Sequence, residues 1–190
     1  MDALLGILSA FGLSASAGLN AYIPLLIVGV IAHYTDLIKL NPPFDLLANP
    51  WVLIVLGILV IIEMVADKVP AVNHINDVIQ TVIRPAAGAI IFAASANVIT
   101  DVNPVLALIL GLLVAGGVHT VKAVAVRPAV TATTGGAGNV PVSIAEDVIA
   151  AVLSLLATLI PILVAAFLIL LLSLILWWMW RRTRRSQGKA

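Results

Sequence analysis

Long apolar stretches recur along this chain, and they constrain its fold more than any other feature. A bilayer core of about 30 Å is crossed by about 20 residues of α-helix, because each residue rises 1.5 Å. Of the 190 residues, 62% are hydrophobic and only 10% are charged, whereas a soluble domain has roughly a quarter of its residues charged. A soluble domain of this size has no core large enough to bury so much apolar surface. The sequence therefore predicts an all-α, polytopic transmembrane helical bundle.

We expect about five spans, some of them broken or re-entrant. Gly, Ser and Asn residues interrupt the first apolar stretch, so we expect a broken or kinked helix there. A single last helix would be about 55 Å long, so it must tilt, kink at Pro161 or begin outside the lipid. The expected spans are residues 3–33, 51–66, 85–99, 105–126 and 143–180.

Two polar segments separate these spans. Residues 71–83 mix amide, His and Asp side chains with Val and Ile, which predicts an interfacial or bundle-buried amphipathic helix ended by Arg84-Pro85. The Gly-rich residues 129–142 do not suit a lipid-facing helix, and whether they re-enter the membrane is left open. Ser143-Ile-Ala-Glu146 has the pattern of a capping box, which predicts the start of the last helix.

The chain ends in an aromatic cluster followed at once by a basic one. Trp177, Trp178 and Trp180 are typical of a membrane interface, and four arginines lie within residues 181–185. Because positively charged segments remain on the cytoplasmic side, we expect the C-terminus in the cytoplasm. We therefore divide the chain into one transmembrane domain, residues 1–180, and a basic cytoplasmic tail, residues 181–190.

Composition and motifs argue against several functions. The net charge of +1 gives no field that would attract nucleic acid, and the lack of cysteine removes thiolate sites. Gly135-Gly136-Ala137-Gly138 lacks the Lys-Ser/Thr of a nucleotide-binding loop. Since no Gly-x-Ser-x-Gly or His-Glu-x-x-His motif is present, we predict no catalytic residue, no metal site and no cofactor, and we do not favour an enzyme.

Charged and amide residues within or beside the apolar stretches are the candidates for function, because a charge at the centre of a membrane helix costs about 2.5–3.5 kcal/mol. Acids and bases are nearly balanced, which predicts pairing; Asp77 shares a helix face with Arg84, and Glu63 with Asp67. These groups either form pairs and caps at the two membrane surfaces or line a polar pathway. The pathway candidates are Asn20, Asp67, Lys68, Asp77, Arg84, Asn97, Lys122, Arg127, Asn139, Glu146 and Asp147.

An internal repeat is a further hypothesis. Residues 56–60 resemble residues 110–114, and the same offset aligns Lys68 with Lys122. Later matches are an Arg-Pro-Ala triplet at Arg84 and Arg127 and an Asn-Val pair at Asn97 and Asn139. Duplication and chance similarity both remain open. The two arginines either snorkel to the interface or attract an anion or a lipid phosphate at a helix break.

Three motifs point to a known family. They are the opening Ser16-Ala17-Gly18-Leu19-Asn20-Ala21-Tyr22-Ile23-Pro24-Leu25, the middle Asp67-Lys68-Val69-Pro70 with Asp77 and Arg84-Pro85, and the Gly-rich stretch through Asn139 to Ser143 with Glu146-Asp147. With these motifs the chain resembles the uncharacterised bacterial membrane family, domain of unknown function 4126, over residues 1 to about 165. The resemblance implies a helical protein of the bacterial inner (plasma) membrane and brings no established activity.

We expect a small transporter or channel-like protein. Its polar site would be formed by Asn20 in the broken first helix, the turn Asp67-Lys68, and the Gly-rich segment at Asn139 with Glu146. The alternatives are a non-transporting membrane scaffold or assembly factor and a membrane enzyme that acts on a lipid. As partners we expect the lipid bilayer, a second copy of the chain in a homo-oligomer, and a small solute, an ion or a lipid phosphate, but no nucleic acid or nucleotide.

Overall fold

The computed structural model describes residues 2–68, 70–96 and 102–187, and within these ranges the chain is helical without any strand. The helices are α1 (Asp2–Leu19), α2 (Tyr22–Tyr34), α3 (Pro50–Ala66), α4 (Pro70–Ala96), α5 (Pro104–Val121), α6 (Arg127–Thr134), α7 (Asn139–Leu159) and α8 (Pro161–Gln187). A short 3-10 helix, Phe44–Ala48, precedes α3. A π-helical segment, Lys122–Val126, joins α5 to α6.

Three helical runs are long and apolar enough to cross a membrane: Asn76–Ala96, Pro104–Thr134 and Asn139–Leu159. The helices Tyr22–Tyr34 and Pro50–Ala66 are apolar but shorter. Many large aliphatic side chains on these helices are exposed, as a lipid-facing surface requires. The all-α, membrane-type fold is confirmed, whereas the structure gives three runs of spanning length and the count of about five spans stays a prediction.

Helix α1 lies at the centre and packs against α4, α5, α7 and α8. The contact with α4 and α5 is made by small residues: Ser14 Oγ donates to the carbonyl oxygens of Gly88 (2.7 Å) and Gly111 (3.1 Å). A Cβ atom on Gly18 would lie 2.6 Å from the carbonyl oxygen of Ala115. Small residues therefore let these backbones approach closely, which is how helices associate where lipid removes the hydrophobic driving force.

The predicted break in the first apolar stretch is confirmed, and it lies at Asn20. Helix α1 ends at Leu19 and α2 begins at Tyr22. The side-chain oxygen of Asn20 accepts hydrogen bonds from the backbone N–H groups of Tyr22 (3.2 Å) and Ile23 (3.1 Å), so it satisfies donors that the first turn of a helix leaves free.

The predicted helix end at Arg84-Pro85 is wrong. Helix α4 continues through Pro85, so the amphipathic segment 71–83 and the beginning of the next expected span are one helix. The guanidinium of Arg84 is fully buried and bound to two carboxylates of other segments. These tertiary bonds and the packing of α1 and α5 hold α4 together where proline removes one backbone hydrogen bond.

Residues 129–142 form a helical hairpin. Helix α6 runs to Thr134, Gly135 and Gly136 adopt positive φ angles of 61° and 92°, and α7 begins at Asn139. The predicted capping box at Ser143 is therefore wrong, because Ser143 lies one turn inside α7. Its hydroxyl accepts a hydrogen bond from Arg127 Nη2 (2.8 Å), so a buried guanidinium uses the oxygen that a cap would have needed.

The last apolar stretch is divided at Pro161, which was one of the expected alternatives. Helix α7 ends at Leu159 and α8 begins at Pro161. A Cβ atom on Gly12 of α1 would lie 2.7 Å from both Ala157 of α7 and Val164 of α8. The bend therefore brings the two helices onto the same position of α1.

Candidate functional site

Four carboxylates and four cationic side chains from separate parts of the chain meet inside the bundle in seven ion pairs. We call these residues the charge network: Glu63, Asp67, Lys68, Arg84, Lys122, Arg127, Glu146 and Asp147. Seven of them are buried, and only Lys68 has a side chain with substantial exposure, at 27%. The formal charges balance, as burial of so many charges requires.

Asp67 is the residue with the most partners in the network. Its Oδ2 atom lies 3.3 Å from Arg84 Nη2, 3.6 Å from Arg127 Nη2 and 3.7 Å from Lys122 Nζ. Its Oδ1 atom accepts a hydrogen bond of 2.7 Å from Asn76. Both oxygens are therefore in use, and the carboxylate joins three cations that come from different helical segments.

The deepest pair joins α3 to α4. Arg84 donates from Nε (3.1 Å) and Nη2 (2.9 Å) to Glu63 Oε1, and the two side chains are 0% and 1% exposed. Its Nη1 atom lies 3.3 Å from His119 Nδ1. A pair without contact to water gains from strong attraction, and loss of one partner would leave a bare buried charge.

The broken first helix places its two ends against opposite charges. The carbonyl oxygen of Leu19, at the end of α1, accepts a hydrogen bond from Lys122 Nζ (3.3 Å). The N–H of Ala21, just before α2, donates to both oxygens of Glu63 (3.3 and 3.2 Å). This arrangement matches the helix dipole, whose carboxyl end favours cations and whose amino end favours anions. The amide of Asn20 donates to Asp147 Oδ1 (3.0 Å), so the break is part of the network.

The neighbouring acids of α7 serve different cations. Glu146 Oε2 lies 2.9 Å from Lys122 Nζ and 3.2 Å from Arg127 Nη2. Asp147 Oδ2 lies 2.9 Å from Lys68 Nζ. Two adjacent residues thus connect α7 to the turn after α3 and to the helical run from α5 to α6.

The network lies at a similar distance from one end of each of the three long apolar runs. Each run places network residues seven or eight positions from one end: Arg84 after Asn76, Arg127 before Thr134, and the adjacent Glu146 and Asp147 after Asn139. At the helical rise this is about 10–12 Å along the axis, or roughly a third of a bilayer core. These three ends lie on one side of the bundle, because Asp77, Thr131 and Asn139 line the same cavity.

That cavity has a volume of about 1090 Å³ and is open on one side. Three residues of the network line it: the buried Asp67 and Arg127 and the partly exposed Lys68. Its walls are formed by one face of α4, by α6 and by the Gly-rich turn before α7. A chamber with mostly apolar walls therefore leads from the charge network to one end of the bundle.

Most of the predicted pathway residues belong to this site. Those that join the network directly are Asn20, Asp67, Lys68, Arg84, Lys122, Arg127, Glu146 and Asp147. Asp77 and Asn139 line the cavity instead. Asn97 lies outside the described residues.

The predicted pairing within α4 is wrong, because Arg84 bonds Glu63 and Asp67 rather than Asp77. The common face predicted for Glu63 and Asp67 is confirmed, since both accept hydrogen bonds from Arg84. In the described part of the chain, no three His, Asp or Glu side chains converge in a way that could hold a metal ion.

Four contributors were missing from the predicted pathway: Glu63, Asn76, His119 and Ser143. Glu63 could have been found, because it is the only charged residue in the apolar run of α3. His119, which contacts Arg84 and Thr81, and Ser143, which contacts Arg127, carry no local sequence signal for these roles.

A family model described as Domain of unknown function (DUF4126) matches residues 7–182. The match includes every residue of the charge network and continues past residue 165 into α8, further than the sequence motifs indicated. No curated protein matches the chain, and no solved structure does.

Proposed function

The chain belongs to the DUF4126 family, and from this premise we propose that it is a small transporter or channel-like protein for a small solute or ion. The observation that carries the proposal is the meeting of eight charged side chains in one buried cluster beside an open chamber. Charges at such depth are retained where they line a substrate or ion path, because they are costly otherwise.

The broken helix supports the same proposal. Transport proteins expose helix ends near the membrane midplane, where free N–H and C=O groups and side chains bind ions or solutes. Here the break at Asn20 bonds to Lys122, Glu63 and Asp147. Irregular backbone at membrane depth is tolerated when protein or water satisfies its polar groups, and the charge network does so at this break.

The topology that we propose has five crossings and a cytoplasmic tail in a bacterial inner membrane. The crossings are α1 with α2, α3, α4, α5 with α6, and α7 with α8. Internal duplication would account for two correspondences in the network: Lys68 and Lys122 each pair with one of the adjacent acids of α7, and Arg84 and Arg127 both contact Asp67. A chain of this size has little interior volume of its own, so we also propose a homo-oligomer.

A scaffold or assembly factor is the second candidate, and the small-residue packing favours it. Ser16 Oγ bonds the carbonyl of Ala150 (2.8 Å) and Ser154 Oγ (2.7 Å), and the three residues are fully or almost fully buried. This contact lies beyond the network as seen from the cavity, since Ser154 follows Asp147 by about 10 Å of helix. A bundle that stays closed at this contact has a chamber on one side but no continuous path for a solute through the protein.

Two single-cysteine variants distinguish the candidates in this cysteine-free chain. Ala132→Cys lies on the cavity wall and Ser154→Cys in the closed contact. A charged, membrane-impermeant thiol reagent is applied to right-side-out and inverted membrane vesicles, with the exposed loop variant Lys39→Cys as the control for sidedness. A transporter predicts that Ala132→Cys reacts from one side and Ser154→Cys from the other, at rates that change when solute is added.

The scaffold predicts a different pattern. Ser154→Cys would remain inert from both sides in every solute tested, while Lys39→Cys reacts normally. That result would replace the transport proposal. If Ala132→Cys were also inert, the chamber itself would not be open to water.

A further inference from the structure

We infer that Arg127 is the solute-binding cation of this chamber and that the solute carries an oxoanion group, a carboxylate or a phosphate. The inference rests on the proposed function and names the class of solute. It comes from the unequal way in which the two buried arginines use their donors.

Each guanidinium nitrogen of Arg84 already has a partner. Its Nε and Nη2 atoms donate to Glu63, Nη2 also lies near Asp67, and Nη1 contacts His119. It is fully buried and does not line the cavity. Among the described residues Arg84 is also the only cation paired with Glu63, so its withdrawal would leave that carboxylate without a positive partner.

Arg127 differs in each respect. It lines the cavity, and its side chain is about nine-tenths buried. Only Nη2 has partners, at Ser143 (2.8 Å) and Glu146 (3.2 Å), while the buried Nε and Nη1 atoms have no hydrogen-bond acceptor. Buried donors without acceptors are unfavourable, so a ligand that brings an acceptor beside them binds more tightly.

The two carboxylates beside Arg127, those of Glu146 and Asp67, each have another cationic partner. Glu146 keeps Lys122 at 2.9 Å, and Asp67 keeps Arg84 at 3.3 Å and the amide of Asn76 at 2.7 Å. Because Nε and Nη1 lie beneath the cavity surface, the guanidinium has to turn toward the chamber to meet a solute. It can turn without leaving any carboxylate unpaired.

The chemistry of the free donors selects the ligand. The Nε and Nη1 atoms carry their N–H groups on opposite edges of the guanidinium, so each takes a separate oxygen acceptor, and a charged oxygen of a carboxylate or phosphate forms the stronger hydrogen bond. Lys68 lies at the same end of the cavity with a partly exposed ammonium group. Two cations thus face a bound oxoanion, while the oxygens of Asp67 are already occupied. Asp77, on the α4 wall, is the acid of the cavity lining outside the network, and it favours a solute of low negative charge.

The test compares an anionic and a cationic thiol reagent at one site. Full-length Ala132→Cys protein in maltoside micelles is labelled with a sulfonate-bearing or a trimethylammonium-bearing methanethiosulfonate. Thr133→Cys, the next residue of α6 and outside the cavity lining, is the matched control. After normalisation to this control, we expect the sulfonate reagent to react about tenfold faster at Ala132→Cys, because the free N–H groups of Arg127 and the ammonium group of Lys68 attract an anion while both oxygens of Asp67 are occupied.

Inorganic phosphate should slow the labelling of Ala132→Cys and leave Thr133→Cys unchanged, with the ionic strength held constant. Adding Arg127→Gln to the Ala132→Cys protein should abolish both the charge preference and the protection. If the Arg127→Gln variant fails to fold, the inference is still tested by the Ala132→Cys protein, through its preference for the sulfonate reagent and its protection by phosphate.

Equal labelling by the two reagents, or faster labelling by the cationic one, would overturn the oxoanion site and leave a water-filled chamber in place. Failure of both reagents at Ala132→Cys, with normal labelling at Thr133→Cys, would overturn the proposed function itself. Protection by phosphatidic acid in the micelles, and none by inorganic phosphate, would identify a lipid headgroup as the source of the oxoanion. Absence of protection by either would refute the site.

Discussion

The buried pair of Glu63 and Arg84 gives the sharpest prediction for the stability of the bundle. Arg84→Gln leaves four carboxylates facing three cations in the network, and Glu63→Gln leaves three carboxylates facing four cations. Because both side chains are almost completely excluded from solvent, each single change should lower the free energy of unfolding by about 3–5 kcal/mol. The double variant restores the charge balance, so it should be more stable than the sum of the two losses by about 1–3 kcal/mol.

The assay is denaturant unfolding of the purified protein in maltoside micelles, followed by far-UV circular dichroism. Lys39→Gln, in an exposed loop, removes a positive charge without touching the network and should change the unfolding free energy by about 0.5 kcal/mol or less. Single losses below about 1 kcal/mol, or strictly additive losses in the double variant, would show that the two side chains are not a coupled buried pair.

Two further predictions concern packing and the helix break. Gly18→Ala should lower the free energy of unfolding by about 1–3 kcal/mol, because the added Cβ atom would lie 2.6 Å from the backbone oxygen of Ala115. Gly57→Ala is the control: a Cβ atom there has no other atom within 4 Å, so the variant should be neutral or slightly stabilising in the same unfolding assay. Asn20→Ala should lower the free energy of unfolding more than Asn103→Ala does. Both side chains cap a helix, which is worth about 1 kcal/mol, but of the two only Asn20 also donates to a buried carboxylate. Equal losses of unfolding free energy, measured by circular dichroism, would contradict a role for Asn20 in the network.

Much of the helical fold was readable from local patterns. The apolar run that predicted a span at residues 51–66 is helix α3, Pro50–Ala66. Proline after Asn103 predicted the start of α5, and the structure has Asn103 as its cap. These features depend on residues a few positions apart, so the sequence contains all the information that they need.

The charge network was readable only in part. Near balance of acids and bases predicted pairing, and eight of the predicted pathway residues are in the network or, for Asn20, bonded to it. The choice of partners was not readable, because helical spacing favoured Asp77 for Arg84 while the fold supplies Glu63 and Asp67. A charge pairs with the nearest opposite charge in space, and residues on other helices have no fixed spacing in the sequence.

The same reason explains the misplaced helix boundaries. Arg84-Pro85 and Ser143 carry the local signals of a helix end and a helix start, yet both lie inside helices whose buried polar side chains bond to other segments. By itself the sequence determined the membrane class, the apolar helices, the break at Asn20 and the balance of buried charge. Only the tertiary structure decided which charges meet, which arginine keeps free donors, and where the chamber opens, because bonds between distant buried segments are strong enough to override local preferences.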